Sequence, residues 1–330
     1  MASPDRYVPP PAALIWHPHV EPEPYHRVLR VRDYRPWRPV VGLVVVVVLA
    51  LGILPVIALV LPLLWALADG HQATYYVDRL SDRTITTSVL AYTNVVLGGL
   101  AVAAWTTIRT VHRMRPRWLS SVVPGLRWRW LGLCAATALA ICLLQAVAAV
   151  VSGDDSSSTG AASSTRAQLT LALVVLLTTP LQAAGEEYFF RGYLNQAVGA
   201  YFRSPWPPMV VTSVLFALAH GAQNAPLFFD RLSFGLVAAF VVWRTGGLEA
   251  GISWHVVNNL VVLLYAAVTD TMSSTLLISQ ISWGAAVLDV ALLLVFAAAV
   301  IKLGQLRQLQ RLTTAPPAGA FAGGWVPPRR

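Results

Sequence analysis

Long apolar blocks, separated by short polar stretches rich in arginine and proline, run from Pro39 to Gly304. A helix crosses a bilayer with about 20 mostly apolar residues at 1.5 Å of rise each. Windows of that kind lie near Val40–Leu67, Ser88–Ile108, Leu131–Val151 and Gln168–Ala184. Two shorter ones, Met209–His220 and Leu232–Trp243, precede Leu248–Val268 and Trp283–Leu303. The pattern predicts an all-α, polytopic transmembrane helix bundle of about eight spans over residues 39–304. The flanks 1–38 and 305–330 are rich in Pro, Arg, Ala and Gly and bury too little apolar area to offset ordering entropy, so both are expected to be disordered.

Composition places the chain in the same class. Of 330 residues, 56% are hydrophobic and 12% charged, with a mean hydropathy of +0.60; soluble domains carry roughly twice that share of charge. The first 38 residues hold no early apolar stretch followed by a small-residue cleavage box, so no cleavable leader is expected and the first span is the membrane signal. No repeat of the inverted-topology kind is visible.

The formal net charge of +9 raises the question of a nucleic-acid partner. The cations instead cluster between apolar blocks: Arg27, Arg30, Arg32, Arg35 and Arg38; then Arg109, Arg113, Arg115, Arg117, Arg127 and Arg129; then Lys302, Arg307 and Arg311. Short cytoplasmic loops carry such an excess. The segment from Gly153 to Gly160 is acidic and free of cations, as an external loop is expected to be. The expectation is therefore a multi-pass protein of the cell membrane with both termini cytoplasmic, partnered by the bilayer and not by nucleic acid. Cys134 and Cys142, eight residues apart in one apolar block, would stand about 12 Å apart on a helix, too far for a disulfide.

Ionisable groups inside apolar blocks are functional candidates, because an unpaired charge at the bilayer centre costs several kcal/mol. Three clusters stand out: Glu186-Glu187-x-x-x-Arg191, Phe216-x-x-x-His220 and His255-x-x-x-Asn259. On a helix Glu187 and Arg191 are i and i+4 and can pair. Glu186 is turned about 100° away, without that partner. One carboxylate, two imidazoles and an amide from three helices are suited to activating water and stabilising an oxyanion.

These motifs, in this order on successive spans over about 169–268, resemble the signatures of the CPBP intramembrane endopeptidases, the group that includes the type II CAAX prenyl proteases. The resemblance implies a catalytic core there. It implies Glu186 as the general base, His220 holding and polarising the water, His255 and Asn259 as oxyanion donors, and Glu187 with Arg191 as a supporting pair. The implied activity is hydrolysis of a peptide bond in a membrane-associated protein or peptide. The implied cofactor is none; a His₂Glu zinc site of Glu186, His220 and His255 is the alternative, although the linear His-Glu-x-x-His signature is absent. A catalytically silent scaffold or transporter-like protein that keeps the fold is the alternative to an enzyme; loss of one motif residue would mark it, and none is lost. The Arg-rich, nearly Lys-free composition suggests a bacterial gene of high GC content, where CAAX prenylation is not expected, so the substrate stays unassigned.

Smaller features complete the reading. Trp37, Trp118, Trp128, Trp130 and Trp206 sit beside cations at span ends, as an interfacial belt would. Asn94 and Gln145 are expected to bond across helices, Asp289 to stand unpaired near the outer end of the last span, and Pro180 to kink the fourth helix.

Overall fold

The computed structural model of the protein describes residues 19–72, 75, 85–151 and 164–314. In chain order the helices are α1 (Trp37–Ala68), α2 (Thr87–Thr110), α3 (Trp128–Val151), α4 (Thr165–Gly199), α5 (Trp206–Leu218), α6 (Ala225–Thr245), α7 (Glu249–Val268), α8 (Met272–Leu276) and α9 (Trp283–Leu306). No strand forms among the described residues; two isolated backbone bridges do. The chain is a polytopic all-α membrane bundle.

Seven of these helices are long and apolar enough to cross a membrane. The eighth expected span is α5, which has 13 residues, about 20 Å of helix against a hydrocarbon core of about 30 Å. Prolines at its start and Gly221 beyond its end, at φ 77°, bound it. Conversely α6 is a full span of 21 residues, longer than its apolar block, because Asp230 and Arg231 lie inside the helix and interrupt the hydrophobic run.

Helix starts follow local chemistry. Thr86, Ser164, Asn224 and Ser282 each accept the backbone N–H three residues on, capping α2, α4, α6 and α9. All four caps lie at one end of the bundle, the far end. There Asn224 also bonds the backbone of Ser279 and Ile281, and Gln168 reaches Val268 and Asp270. α4 is the central helix, packed between α2 and α7; α7 also packs on α3, and α6 lies against α5 and α9. A close approach makes the first contact possible: a Cβ on Gly185 would stand 2.1 Å from the carbonyl oxygen of Leu97 on α2.

The opposite, near end is a clasp of irregular segments. Residues 19–36 were expected to be disordered with the rest of the flank, yet Tyr25, Val28 and Leu29 are buried against the bundle. Arg30 Nε donates to Ala200 O at 2.7 Å, His26 Nε2 meets Arg203 O at 3.2 Å, and Tyr25 bonds Leu119 O. The few aliphatic and aromatic positions among the prolines and arginines suffice to dock the segment. Its Pro24 bridges to Leu312, and Thr313 Oγ1 accepts from Glu23 N, so both ends of the described chain meet on one face. Beside them Arg127 grips Glu249 bidentately, Nη2 to Oε2 at 2.7 Å and Nε to Oε1 at 2.9 Å. All three basic clusters belong to segments at or next to this end. The external loop expected at Gly153–Gly160 lies outside the described residues, as do 1–18 and 315–330 of the expected tails.

Some of the smaller expectations hold and others do not. Trp37, Trp128 and Trp206 are exposed, whereas Trp118 and Trp130 are core residues at 3% exposure. Asn94 donates to Thr178 at 2.8 Å across α2 and α4. Asp289 is not unpaired: Gln145 Nε2 donates to it at 3.2 Å from α3. Helix α4 continues through Pro180, and its irregularity comes later, in a π-helical stretch at Tyr188–Leu194.

The clasp has an acid sensitivity. Burial pushes the imidazole of His26 down to about 4, and burial with Arg38 nearby does the same to His112, which bonds Tyr193 Oη at 3.0 Å. A depressed histidine stabilises the fold above its unfolded pKa near 6.5 and loses that contribution as pH falls toward the folded value. Each should cost on the order of 2 kcal/mol by about pH 5. Thermal unfolding in detergent from about pH 7.5 to about pH 5 should show this drop, and His26→Asn should flatten it; an unchanged slope in the variant would refute the assignment.

Candidate active site

Three helices bring the motif residues together. Glu186 and Glu187 end the regular part of α4, just before the π-helical turn whose residues Tyr188–Leu194 are all buried. Such wide turns are frequent at functional sites. Along α4, Glu186 lies about 30 Å from the far-end start and about 20 Å from Gly199, deep in the bundle rather than at its surface.

Glu187 is completely buried and meets two partners through one oxygen, an ion pair with Arg191 and a hydrogen bond from His255. Its Oε1 is 3.0 Å from Arg191 Nη1 and 3.0 Å from His255 Nδ1. Gly251, one turn before His255 on α7, makes room: a Cβ there would stand 2.8 Å from Glu187 Oε2. The guanidinium of Arg191, 1% exposed, lies over the faces of Phe216 at 4.1 Å and Phe234 at 4.9 Å. Its charge is thus met by one carboxylate and two ring quadrupoles.

Glu186 faces another way, as the helical offset predicts. Its Oε1 accepts from Gln182 Nε2 at 2.8 Å, one turn earlier, while Oε2 is 3.6 Å from His255 Nε2 and accepts no hydrogen bond from the protein. His255 therefore spans the two carboxylates. A ring that donates from Nδ1 to Glu187 presents Nε2 toward Glu186. Gln182 Oε1 in turn accepts from Asn259 Nδ2 at 3.2 Å. One buried chain of polar groups thus runs Asn259, Gln182, Glu186, His255, Glu187, Arg191.

His220 joins by a different route. Its Nδ1 is 2.8 Å from the Phe216 carbonyl, and its ring meets the Phe216 ring edge-on at 4.6 Å. Phe216 touches His255 at 6.2 Å between ring centroids and packs on Arg191. His220 lies within electrostatic reach of Glu186 and His255, at the exposed end of α5. Glu186, Glu187, Arg191 and His255 are joined directly, Asn259 through Gln182, and His220 through Phe216.

Among the described residues no group of three or more His, Cys, Asp or Glu side chains is placed to hold a metal ion. Two of the nitrogens that a His₂Glu set would draw on, His255 Nδ1 and His220 Nδ1, face Glu187 and a backbone carbonyl.

Residues 168–261 match the Rce1-like family, described as type II CAAX prenyl endopeptidase Rce1-like. That Rce1-like segment contains every residue of the polar chain and both aromatic faces on Arg191. Over 101 residues the chain is 30% identical to an uncharacterized protein of Bacillus subtilis (strain 168), YyaK; the match covers 29% of this chain and 34% of that protein. The chain thus aligns with about a third of the length of the curated relative it matches. No solved structure matches the chain.

Sequence reasoning missed Gln182 and Phe234. Gln182 had a signal: it stands i−4 from Glu186, on the same helix face, as a polar residue in an apolar block. Phe234 had none, being one aromatic among several in α6.

The buried pair yields a stability prediction. Glu187→Ala strands the Arg191 guanidinium and should cost about 3–5 kcal/mol, whereas adding Arg191→Leu should restore much of it. Thermal unfolding of both variants in detergent tests this; a single variant as stable as wild type would contradict the coupling.

Proposed function

We propose that the protein is an intramembrane endopeptidase of the membrane-bound Rce1-like kind, with Glu186 as the general base. The observation that carries this reading is the asymmetry of the two adjacent carboxylates. Both carboxylates keep Oε2 without a protein donor, but Glu187 is held through Oε1 by Arg191 and His255 at 3.0 Å each, while the nearest cationic partner of Glu186 is His255 Nε2, 3.6 Å from its Oε2.

The reaction is read as follows. A water near Glu186 Oε2 gives up a proton to that oxygen as its own oxygen attacks the scissile carbonyl carbon. The carbonyl π pair moves onto oxygen; with His255 carrying a proton on each ring nitrogen, Nδ1–H on Glu187 and Nε2–H free, Nε2–H and the amide of Asn259 donate to this oxyanion. Glu187 holds the imidazole in orientation through Nδ1, and Gln182 holds Glu186 Oε1, so the proton is directed to Oε2. On collapse the C–N bond breaks, and the proton passes from Glu186 to the departing nitrogen. His220, with Nδ1 turned to the Phe216 carbonyl, has Nε2 to accept a hydrogen bond from the water. General base catalysis and one oxyanion donor are each worth about 10²–10³ or more in rate.

The depth of Glu186 in the bundle favours a substrate that is itself a membrane protein or lipid-bound peptide. The gathering of the Arg clusters at the near end favours that end, with both termini, facing the cytoplasm of a cell membrane.

Purified protein in nanodiscs, given a panel of single-span and lipidated peptides, should cleave at least one. Glu186→Gln should lower the rate by at least about 10² and Asn259→Ala by about 10²–10³, while a zinc chelator should leave cleavage unchanged. Cleavage that survives in Glu186→Gln would overturn the base assignment, and loss in chelator would restore the zinc alternative. A protein that cleaves nothing, and whose Glu186→Gln variant shows no phenotype in cells, would favour the silent scaffold.

A further inference from the structure

Away from the polar chain, at the near end, a cavity of about 340 Å³ opens between the last turns of α6 and α9 and the segment that follows. Its polar lining is Arg244, Arg311, Gln305 and Gln308, and its apolar lining includes Ile301 and Leu309. Two arginines line one small space, and among the described residues neither has a carboxylate partner within ion-pair distance. Arg244 Nε is buried and finds no hydrogen-bond acceptor in the protein. A buried charged donor left without an acceptor is costly, and two like charges together add repulsion.

The depth of the cavity is marked independently. Arg244 lies 5.8 Å from the rings of both Phe240 and Trp243, and Phe240 stacks with the exposed Trp206 at 6.0 Å. Aromatic residues beside cations at span ends mark the headgroup layer. The carbonyl ends of α6 and α9 oppose an anion with about half a charge each, and two guanidiniums outweigh them.

We propose that this cavity binds the phosphodiester of an anionic phospholipid. The guanidiniums and the glutamine amides hold the phosphate, planar donor forks suit its oxygens, and Ile301 and Leu309 receive the first apolar part of the glycerol backbone. A free phosphate ion shares the charged chemistry and would gain nothing from the apolar wall or the headgroup depth. The site is independent of the proteolytic reading.

The test uses the full chain in neutral detergent, with thermal unfolding followed while short-chain phosphatidylglycerol, phosphatidylcholine or inorganic phosphate is added at equal concentration. Phosphatidylglycerol should raise the unfolding temperature at concentrations where the other two do not. Arg244→Gln/Arg311→Gln should need about tenfold more of it for the same shift. Arg311→Gln alone, at an exposed position expected to fold normally, should need several-fold more, and Arg109→Gln, an exposed arginine elsewhere at the near end, should respond as wild type does. An equal shift with inorganic phosphate would place a free anion in the cavity and overturn the lipid assignment. No response of the wild type, an unchanged response in both cavity variants, or an equal loss in Arg109→Gln would overturn the site.

Discussion

Burying Glu187 with Arg191 is the constraint around which the catalytic half is arranged. A carboxylate and a guanidinium far from water are tolerated only if each is met from several sides. Arg191 obtains this from Glu187 Oε1 and from the faces of Phe216 and Phe234, which draws α5 and α6 against α4. Glu187 obtains it from Arg191 and His255, which draws α7 in and requires the bare backbone of Gly251 opposite. The pair is worth little as net stability; its effect is to fix which helices meet and in what register.

That arrangement leaves Glu186 as the reactive member. Adjacent residues on a helix point about 100° apart, so a carboxylate beside a committed one is carried into a different environment. Gln182 occupies one of its oxygens and links it to Asn259, and His255 stands between the two acids. The same imidazole that hydrogen-bonds the structural carboxylate therefore faces the chemical one. The near-end clasp supports this from a distance: residues 19–36, the segment before α3 and the tail after α9 close over the end where α4 and α6 finish and α7 begins.

Much of the fold was legible in the chain because lipid is a simple solvent. Span positions followed from apolar length. The exceptions have specific causes. α6 was foreshortened because Asp230 and Arg231 break the apolar window without breaking the helix, and Asp289 was read as unpaired because its donor, Gln145, lies on a helix far away in sequence. Trp118 and Trp130 resemble their exposed counterparts in local sequence; Trp118 is buried beneath the near-end segments and Trp130 among Cys134, Trp254 and Phe296 between helices. The docking of residues 19–36 was hidden because a few buried side chains among prolines and arginines leave no periodic signal.

By itself the sequence determined the all-helical membrane class, the pairing of Glu187 with Arg191 and the separate orientation of Glu186, because each depends only on composition or on helical spacing within one segment. Tertiary structure alone decided that His255 bridges both carboxylates, that Gln182 joins Glu186 to Asn259, and that both ends of the described residues share a face. Those contacts join residues up to 290 positions apart, and the angles at which helices pack, not the spacing along any one of them, bring such residues together.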